Sequence, residues 1–415
     1  KDSDPDIFSK FPEAYLSDSI EYNKNRAKIA WYNIEPTLQD KNSSNNPLSS
    51  NLKSLSDPRV RQVFTNELFP NRTTNITDVQ LPTFDLTYYP KERGPYNYNY
   101  DGSELDATLP GKFNKEAASK KWGGIMRALD QTDFETTIIE YVEFWVQDPF
   151  IKSPATSGKL ILNLGNVSED ILRDGRRFYE NGMPTPTIPA SIDSSTWGRV
   201  PVNPIQVTNA FSNNPEDRKF QDVGFDGIND DAERNLPGIG GYTTLDDPAA
   251  DNYQYFLNAT GPTVFERYKN FNGVEGNSPV GVSDTNRGST TLPDVEDINR
   301  DNTMNTINAY FKFEVPILKY PDTEDGVPVG QNYIVDSRSV SEVLPNGQTA
   351  NARWILYKIP IQEFTDANKV GPINDFRSIR FMRMYMTGFK DEITMRFGAL
   401  DLVRGEWRRF ANSLD

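Results

Sequence analysis

The sequence contains no cysteine and no histidine among its 415 residues. Without cysteine, the chain can form no disulfide framework and has no thiol nucleophile. Without histidine, it lacks the most common general base near neutral pH and the most common ligand of zinc, copper and iron. These absences exclude Ser-His-Asp and Cys-His catalysis, and among metals they favour ions that prefer oxygen ligands.

Long hydrophobic runs are also missing, since the mean hydropathy is −0.65 and apolar stretches such as 141–146 are short and interrupted by charge. A membrane-spanning helix needs about 18 consecutive apolar residues, so we predict no membrane span. The 59 acidic residues outnumber the 44 basic ones, and the net charge of −15 repels phosphate backbones. We therefore expect no nucleic-acid partner. The chain begins at Lys1 without a signal peptide before it, and we interpret it as a processed or excised segment.

Turn-forming residues are frequent, with 29 prolines and 27 glycines. They separate short, aromatic-rich segments with alternating side chains, a pattern typical of antiparallel β-structure. Bulky residues on both faces of 138–147 indicate a central strand of a sandwich. The segments predicted as strands are 81–89, 138–147, 159–164, 353–361, 378–387 and 392–403.

The order of these segments predicts a single antiparallel β-sandwich that is split by a long irregular insertion. Three strands alone leave an apolar face in water, so we expect the early and late strands to close on each other. Two separate small domains are the alternative. The predicted parts are a helical or loop segment (1–80), the first half of the sandwich (81–179), a Gly/Asn/Asp-rich insertion (180–340) and the second half of the sandwich (341–415).

Helical signals are confined mainly to the start of the chain. Residues 25–31 suit a short helix that Pro36 terminates. Residues 56–64 are typical of a helix N-terminus, because Pro58 lies in the first turn. The sequence therefore predicts a short helical N-terminal part.

Several segments of the chain follow one another in the order typical of a single protein family. The first is RAKIAWYNIEP at 26–36. The others are RGPYN at 93–97, WGGIMR at 122–127, TDFE at 132–135, IEYVEFW at 139–145, LGNVSED at 164–170, PDVEDINRDN at 293–302 and FMRMY at 381–385. Through these segments, which span nearly the whole chain, the sequence resembles the SprA/Sov family.

The resemblance implies a place in the type IX secretion system of Bacteroidota. Proteins of this family form a giant outer-membrane β-barrel that passes folded cargo to the cell surface and is linked to gliding motility. The implied partners are the rest of the translocon barrel, a PorV-like companion barrel protein and the secreted cargo proteins. A polar segment without membrane strands is then expected in the extracellular cap over the pore, with the periplasmic side as the alternative.

The later strands also look like the jelly roll of galactose-binding-type modules, through 139–147, the hairpin entry at 158–160 and 402–407. Fold analogy does not supply function, so we expect a structural, non-enzymatic role. A carbohydrate-binding module and a calcium-stabilised adhesive module are the alternatives. Glu140 and Glu143 lie on opposite faces of a predicted strand and cannot act as a glycosidase pair by themselves.

Oxygen-bearing side chains alternate in one acidic loop. They belong to Asp297, Asn299, Asp301, Thr303 and Asn305. Alternate oxygen ligands let a tight loop fold around calcium, as in an EF-type loop. Asn308 stands where such a loop has a bidentate Glu. The pattern predicts calcium binding, and an acidic turn held by Asn and Asp hydrogen bonds is the alternative.

A second acidic tract lies earlier in the chain. Its acids are Asp222, Asp226, Asp230, Asp231 and Glu233. Carboxylates close together repel one another unless a cation or solvent screens them. Calcium is therefore a candidate cofactor here too, with Asp246, Asp247 and Asp251 as nearby contributors. A solvated acidic loop is the alternative.

Overall fold

Two antiparallel β-sheets lie face to face in the computed structural model. The structure describes residues 20–72, 79–202, 210–237, 239, 242–284, 286–323 and 325–405. The strands are β1 (Ala27–Tyr32), β2 (Phe84–Arg93), β3 (Trp122–Ala128), β4 (Ile139–Gln147), β5 (Ser157–Asn166), β6 (Ile192–Ser194), β7 (Arg199–Pro201), β8 (Ala309–Leu318), β9 (Ile334–Val343), β10 (Thr349–Pro360), β11 (Lys369–Val370), β12 (Phe381–Thr387) and β13 (Ile393–Arg404). The helices are α1 (Pro36–Gln39), α2 (Leu52–Leu55), α3 (Thr65–Leu68), α4 (Lys115–Ala118), α5 (Pro215–Arg218), α6 (Asp230–Glu233) and α7 (Val264–Tyr268), with short 3₁₀ helices at Ile20–Asn23, Glu180–Gly182 and Asp366–Asn368. No helix within these ranges combines the length and apolar character that crossing a bilayer requires.

The first sheet has the strand order β1-β2-β13-β4-β10-β9, and the second has the order β11-β8-β5-β12-β3. Strands from the two ends of the chain pair directly, because β4 lies between β13 and β10, and β12 pairs with β5. The strands β6 and β7 form a separate two-stranded sheet. The predicted antiparallel β-sandwich is therefore confirmed, whereas its jelly-roll character stays a prediction.

The hydrophobic core lies between the two large sheets. Alternate residues of β5, namely Leu160, Leu162 and Leu164, meet Phe144 of β4 and Phe313 of β8 in one cluster. All five side chains are at most 1% exposed. Full burial of a side chain of this kind contributes about 1.5–3 kcal/mol. The two sheets thus stabilise each other through a shared apolar layer.

Each of the six predicted strands is present, as β2, β4, β5, β10, β12 and β13, with ends that differ by a few residues. The alternation of side chains along these segments predicted the strands correctly because each strand has one face in the core between the sheets. In β4, the other face is buried toward its C-terminal end, where Trp145 packs with Trp354 of β10. That arrangement agrees with the prediction of a central strand.

The helix predicted over 25–31 is wrong, because these residues include strand β1. The spacing of the buried residues Ala27 and Ala30 fits a helix locally. In the fold, however, β1 pairs with β2, for example through Ile29 opposite Tyr88. Pairing with an existing sheet satisfies the backbone polar groups of the segment and outweighs its local pattern.

The helix N-terminus predicted at 56–64 is also wrong, since none of these residues is helical: α2 ends at Leu55 and α3 begins only at Thr65. Asp57 accepts the backbone N–H of Arg59 at 2.9 Å and also binds its guanidinium at 2.8 Å. This local bonding favours a turn over a helix. The segment then packs Val63 against the outer face of the first sheet.

Several strands were not predicted from the sequence, among them β3, β8 and β9. The strand β8 lies within 180–340, the range predicted as an insertion, yet it pairs with β5 through ten register positions. It therefore belongs to the second sheet. The division of the chain into four parts stays a prediction.

The outer edge of β1 is covered by the side chain of Asn272. The Oδ1 atom of Asn272 accepts the backbone N–H of Trp31 at 2.8 Å, and its Nδ2 atom donates to the Trp31 carbonyl at 2.9 Å. The amide thus replaces the strand that would otherwise pair there.

An Asn272→Ala variant is expected to lower the free energy of unfolding by about 1–2 kcal/mol, because two hydrogen bonds of about 0.5–1.5 kcal/mol each are lost. Urea denaturation followed by tryptophan fluorescence measures the change. Asn272→Asp tests the donor: it keeps an acceptor for the Trp31 N–H but turns a carboxylate oxygen toward the Trp31 carbonyl, so its loss is expected to be at least as large as that of the Ala variant. An Ala variant as stable as the unmodified chain would contradict this role.

Candidate metal centre

The short helix α6 carries three acidic residues of the second tract, Asp230, Asp231 and Glu233. Asn229 precedes it, and its side chain accepts the backbone N–H of Ala232 at 3.1 Å, as an N-cap. Asp230 and Glu233 are three residues apart, so they lie on the same side of the helical turn. The local sequence therefore presents two carboxylates together.

Asp226 lies in a turn just before this helix. Its Oδ1 atom accepts the backbone N–H of Ile228 at 3.2 Å. Gly224 has a φ of 72°, a conformation that favours glycine. A Cβ atom on Gly224 would lie 2.3 Å from Oδ2 of Asp251. The glycine thus allows the turn and a carboxylate from a distant segment to approach closely.

Asp251 and Glu275 come from two further segments that lie side by side. The backbone N–H of Val274 donates to the Asp251 carbonyl at 2.8 Å. The N–H of Tyr253 donates to the Glu275 carbonyl at 2.9 Å. These main-chain bonds fix the two acidic residues relative to each other.

Five carboxylates converge in two overlapping groups. In the first group, Asp226, Glu233 and Asp251 each have an oxygen within 4.8 Å of the others, and in the second group the same holds for Asp230, Glu233 and Glu275. Glu233 belongs to both groups. The three side chains of the first group are 1%, 0% and 1% exposed. We refer to these five residues as the carboxylate cluster.

The buried carboxylates are held by one oxygen and leave the other without a hydrogen bond. The Oε2 atom of Glu233 accepts the N–H of Ala249 at 2.8 Å, and Oδ2 of Asp251 accepts the hydroxyl of Tyr96 at 2.7 Å. The buried oxygens that accept no hydrogen bond from the described residues are Oδ2 of Asp226, Oε1 of Glu233, Oδ1 of Asp251 and Oε2 of Glu275. Buried polar atoms without a partner are rare in native proteins and call for an explanation such as an ion.

Burial strongly disfavours the charged form of these groups. Burial is the main cause that raises the pKa of Asp226, Glu233, Asp251 and Glu275, and the neighbouring carboxylates of the cluster raise each pKa further. Among the ion pairs of the described residues, none joins a lysine or arginine to these four carboxylates. The arrangement is therefore electrostatically unfavourable by itself and suited chemically to a cation with oxygen ligands.

The structure brings together only part of the predicted tract. Asp226, Asp230 and Glu233 lie in the carboxylate cluster. Asp231 points to solvent and pairs with Arg234 at 2.5 Å. Asp222 lies outside both groups and accepts the backbone N–H of Ser278 at 2.9 Å.

Two members of the carboxylate cluster are distant in sequence from the predicted acidic tract. Asp251 was considered only as a nearby contributor, and Glu275 was missed. Nothing in the sequence links Glu275 to the acidic tract, because the link is the main-chain bonding between its segment and that of Asp251.

The other predicted calcium loop has its oxygens engaged by the chain itself. The two carboxylate oxygens of Asp297 accept the N–H groups of Asp301 at 3.0 Å and Asn302 at 2.7 Å. Asp301 in turn accepts the N–H of Thr303 at 2.8 Å, and Asn305 donates its N–H to Glu169 at 3.1 Å. This is the pattern of the acidic turn that was the alternative.

Asn299 donates through its side chain to Asp301 at 3.1 Å, within the same loop. Neither group of three carboxylates found in the described residues includes a member of this loop. Calcium binding by Asp297, Asn299, Asp301, Thr303 and Asn305 stays a prediction.

Comparison with known families adds one finding. Residues 232–415 match the model of the SprA_N family, described as motility related/secretion protein. No curated protein matches the chain. The matched part contains Glu233, Asp251 and Glu275, whereas Asp226 and Asp230 lie just before it. The chain is therefore similar to secretion and motility proteins over the part that supplies three of the five clustered carboxylates.

Proposed function

Because the chain belongs, through residues 232–415, to the motility related/secretion protein family SprA_N, we propose that it is a structural, non-catalytic region of a type IX secretion translocon in the outer membrane. The family match agrees with the SprA/Sov resemblance of the sequence and is the observation that carries the proposal. The proposed position is the extracellular cap of the pore. The proposed partners are the rest of the barrel, a PorV-like companion barrel protein and the secreted cargo.

The packing of the sandwich supports a scaffold role. Beyond the core, Trp145 and Trp354 on the outer face of the first sheet are 4% and 0% exposed, and they pack with Val63 and Leu68 from the N-terminal part. On the same sheet, Tyr32 stacks on Tyr268 of α7, with ring centroids 4.2 Å apart. A body whose sheets are covered by its own segments keeps its shape while cargo passes.

The composition supports a non-catalytic role. The sequence has neither histidine nor cysteine, so the most common nucleophile and general-base pairs are absent. The net charge of −15 favours solubility of an exposed segment. A second candidate function, a calcium-stabilised adhesive module, is favoured by the carboxylate cluster.

Labelling of engineered cysteines tests the extracellular position, since the chain has no cysteine of its own. Val282 and Val343 are each 71% exposed, and Met384 is 5% exposed. In the full-length protein, Val282→Cys and Val343→Cys are expected to react with a membrane-impermeant maleimide on intact cells. Met384→Cys and the unmodified protein are the controls. Labelling that requires a permeabilised outer membrane would place the segment in the periplasm and contradict the proposal.

Secretion of folded cargo tests the function itself. In cells whose full-length protein lacks the segment in frame, we expect export of a folded reporter to be lost while the shortened protein still reaches the outer membrane. The labelled cysteine variants serve as controls, because substitutions at exposed sites are expected to leave secretion unchanged. Normal export without the segment would overturn the proposal.

A further inference from the structure

We propose that the carboxylate cluster binds Ca²⁺ through its two overlapping groups and thereby joins three separate segments of the chain. The residues that hold the ion are Asp226, Asp230, Glu233, Asp251 and Glu275. The proposal is independent of the role in secretion.

The first argument is the state of the carboxylate oxygens. One oxygen of Glu233 and one of Asp251 are fixed by an N–H and a hydroxyl, and the other oxygen of each is buried without a hydrogen-bond partner among the described residues. Asp226 has the same arrangement, with Oδ1 bonded and Oδ2 unbonded. Outer hydrogen bonds that orient a ligand toward an ion are a general feature of metal sites. The cluster therefore has oriented ligand atoms as well as acidic composition.

The second argument is the balance of charge. Buried carboxylates carry a large desolvation penalty unless an opposite charge compensates it. The described ion pairs supply no basic partner to Asp226, Glu233, Asp251 or Glu275. Asp230 is bonded to a neutral amide, that of Asn252, at 3.1 and 3.2 Å. A divalent cation provides the missing positive charge at the point where the carboxylates meet.

The donor atoms favour calcium over other ions. All side-chain donors are carboxylate oxygens, which suit hard cations. Calcium lies about 2.3–2.6 Å from its ligands, so oxygens on opposite sides of the ion are roughly 5 Å apart. Oxygens within 4.8 Å of one another fit this geometry. Magnesium keeps several water ligands in most protein sites, which suits a buried set of carboxylates less well.

The location of the ligands gives the ion a structural consequence. Asp226 lies just before α6 and Glu233 lies in it, while Asp251 and Glu275 lie in two later segments. Tyr96 also touches this centre, because its hydroxyl donates to Asp251 and accepts the N–H of Phe225 at 2.8 Å. Tyr96 follows β2 directly, so the ion fixes the acidic region next to the sandwich.

The test compares the purified 415-residue chain in a chelator with the same chain in about 1 mM Ca²⁺, a concentration typical for extracellular calcium sites. We expect calcium to raise the melting temperature by at least about 3 °C, since a ligand that binds only the folded state stabilises it. We also expect terbium luminescence excited through tyrosine, with Tyr96, whose hydroxyl is bonded to Asp251, as a donor, and displacement of Tb³⁺ by Ca²⁺. A chain whose melting and terbium luminescence do not respond would overturn the proposal.

Single substitutions distinguish calcium binding at the carboxylate cluster from nonspecific calcium binding elsewhere on the chain. Glu233→Gln removes the residue shared by both groups, and we expect it to weaken calcium binding at least about tenfold. In chelator, the same variant is expected to melt close to the temperature of the unmodified chain, because the Gln side chain still accepts the N–H of Ala249 and carries no charge that burial penalises. Asp231→Asn is the matched control, since Asp231 lies in the same helix but points to solvent, and its calcium response is expected to be unchanged.

Glu275→Gln provides a second variant at a half-buried position, where folding tolerates the change better. It is expected to weaken binding as well. If Glu233→Gln and Glu275→Gln both respond to calcium as the unmodified chain does, the ion binds elsewhere and the proposed site is wrong.

Discussion

An Asp85→Asn variant is expected to lose about 3–5 kcal/mol of its free energy of unfolding. Asp85 of β2 lies opposite Arg396 of β13 in the register of the first sheet. The two side chains are 0% and 2% exposed, and Oδ1 of Asp85 lies 3.2 Å from Nε of Arg396. The substitution leaves the guanidinium buried without a counterion, and Nη1 of Arg396 is already a buried donor without a hydrogen-bond partner among the described residues.

The electrostatics of this pair explain why removing one partner is expected to be costly, whereas replacing both partners is not. Burial raises the pKa of the Asp85 carboxyl to about 6 although Arg396 opposes the rise, and burial also lowers the pKa of Arg396. Desolvation therefore outweighs the attraction within the pair. Replacing both residues by apolar ones of similar volume removes both penalties, so an Asp85→Leu, Arg396→Met double variant is expected to recover most of the loss.

Guanidinium denaturation of the three chains measures these differences. The control is Lys159→Gln, which breaks the surface pair of Lys159 and Glu314, whose side chains are 51% and 43% exposed, and leaves Glu314 paired with Lys312 at 3.0 Å. Exposed pairs contribute about 0–1 kcal/mol, so this variant is expected to remain near the unmodified stability. A loss for Asp85→Asn no larger than that of the control would show that the buried pair is not a major determinant of stability.

The strands that were predicted from the sequence share a physical property. In β5 and β12, alternate side chains enter the core between the sheets, so the pattern of the sequence reports the environment directly. The strand β8 has the same burial on one face, with Phe311, Phe313 and Val315 in the core. It was overlooked because the Gly- and Asn-rich residues around it suggested a continuous loop region.

The strand β1 and the carboxylate cluster show which features the sequence alone does not reveal. The spacing of Ala27 and Ala30 fits a helix, and only the neighbouring β2 makes the segment a strand. Asp226 and Glu233 are close in sequence, so the acidic tract that contains them is visible in the sequence. Glu275 joins them through tertiary contacts, which depend on how distant segments pack and leave no local signal.

A Phe311→Ala variant is expected to lower the free energy of unfolding by about 3–5 kcal/mol, because it opens a large cavity in a packed core. Phe311 of β8 is 0% exposed. Its ring stacks on Phe376 with centroids 4.2 Å apart and contacts Phe364 at 4.5 Å. The expected loss is large because these rings fill the space between the sheets and cannot easily collapse into it.

Comparison with a Phe220→Ala variant shows whether the loss at Phe311 reflects the position of β8 in the sandwich. Both residues lie within 180–340, but Phe220 is 51% exposed, so its removal is expected to change stability by no more than about 0.5 kcal/mol. Since β8 pairs with β5 and β11, the loss at Phe311 should appear in the main unfolding transition seen by tryptophan fluorescence. A strand inside one cooperative unit cannot lose its core contacts without weakening the whole unit. A Phe311→Ala chain that unfolds at the same midpoint as the unmodified chain would therefore mean that β8 is not part of the cooperative sandwich.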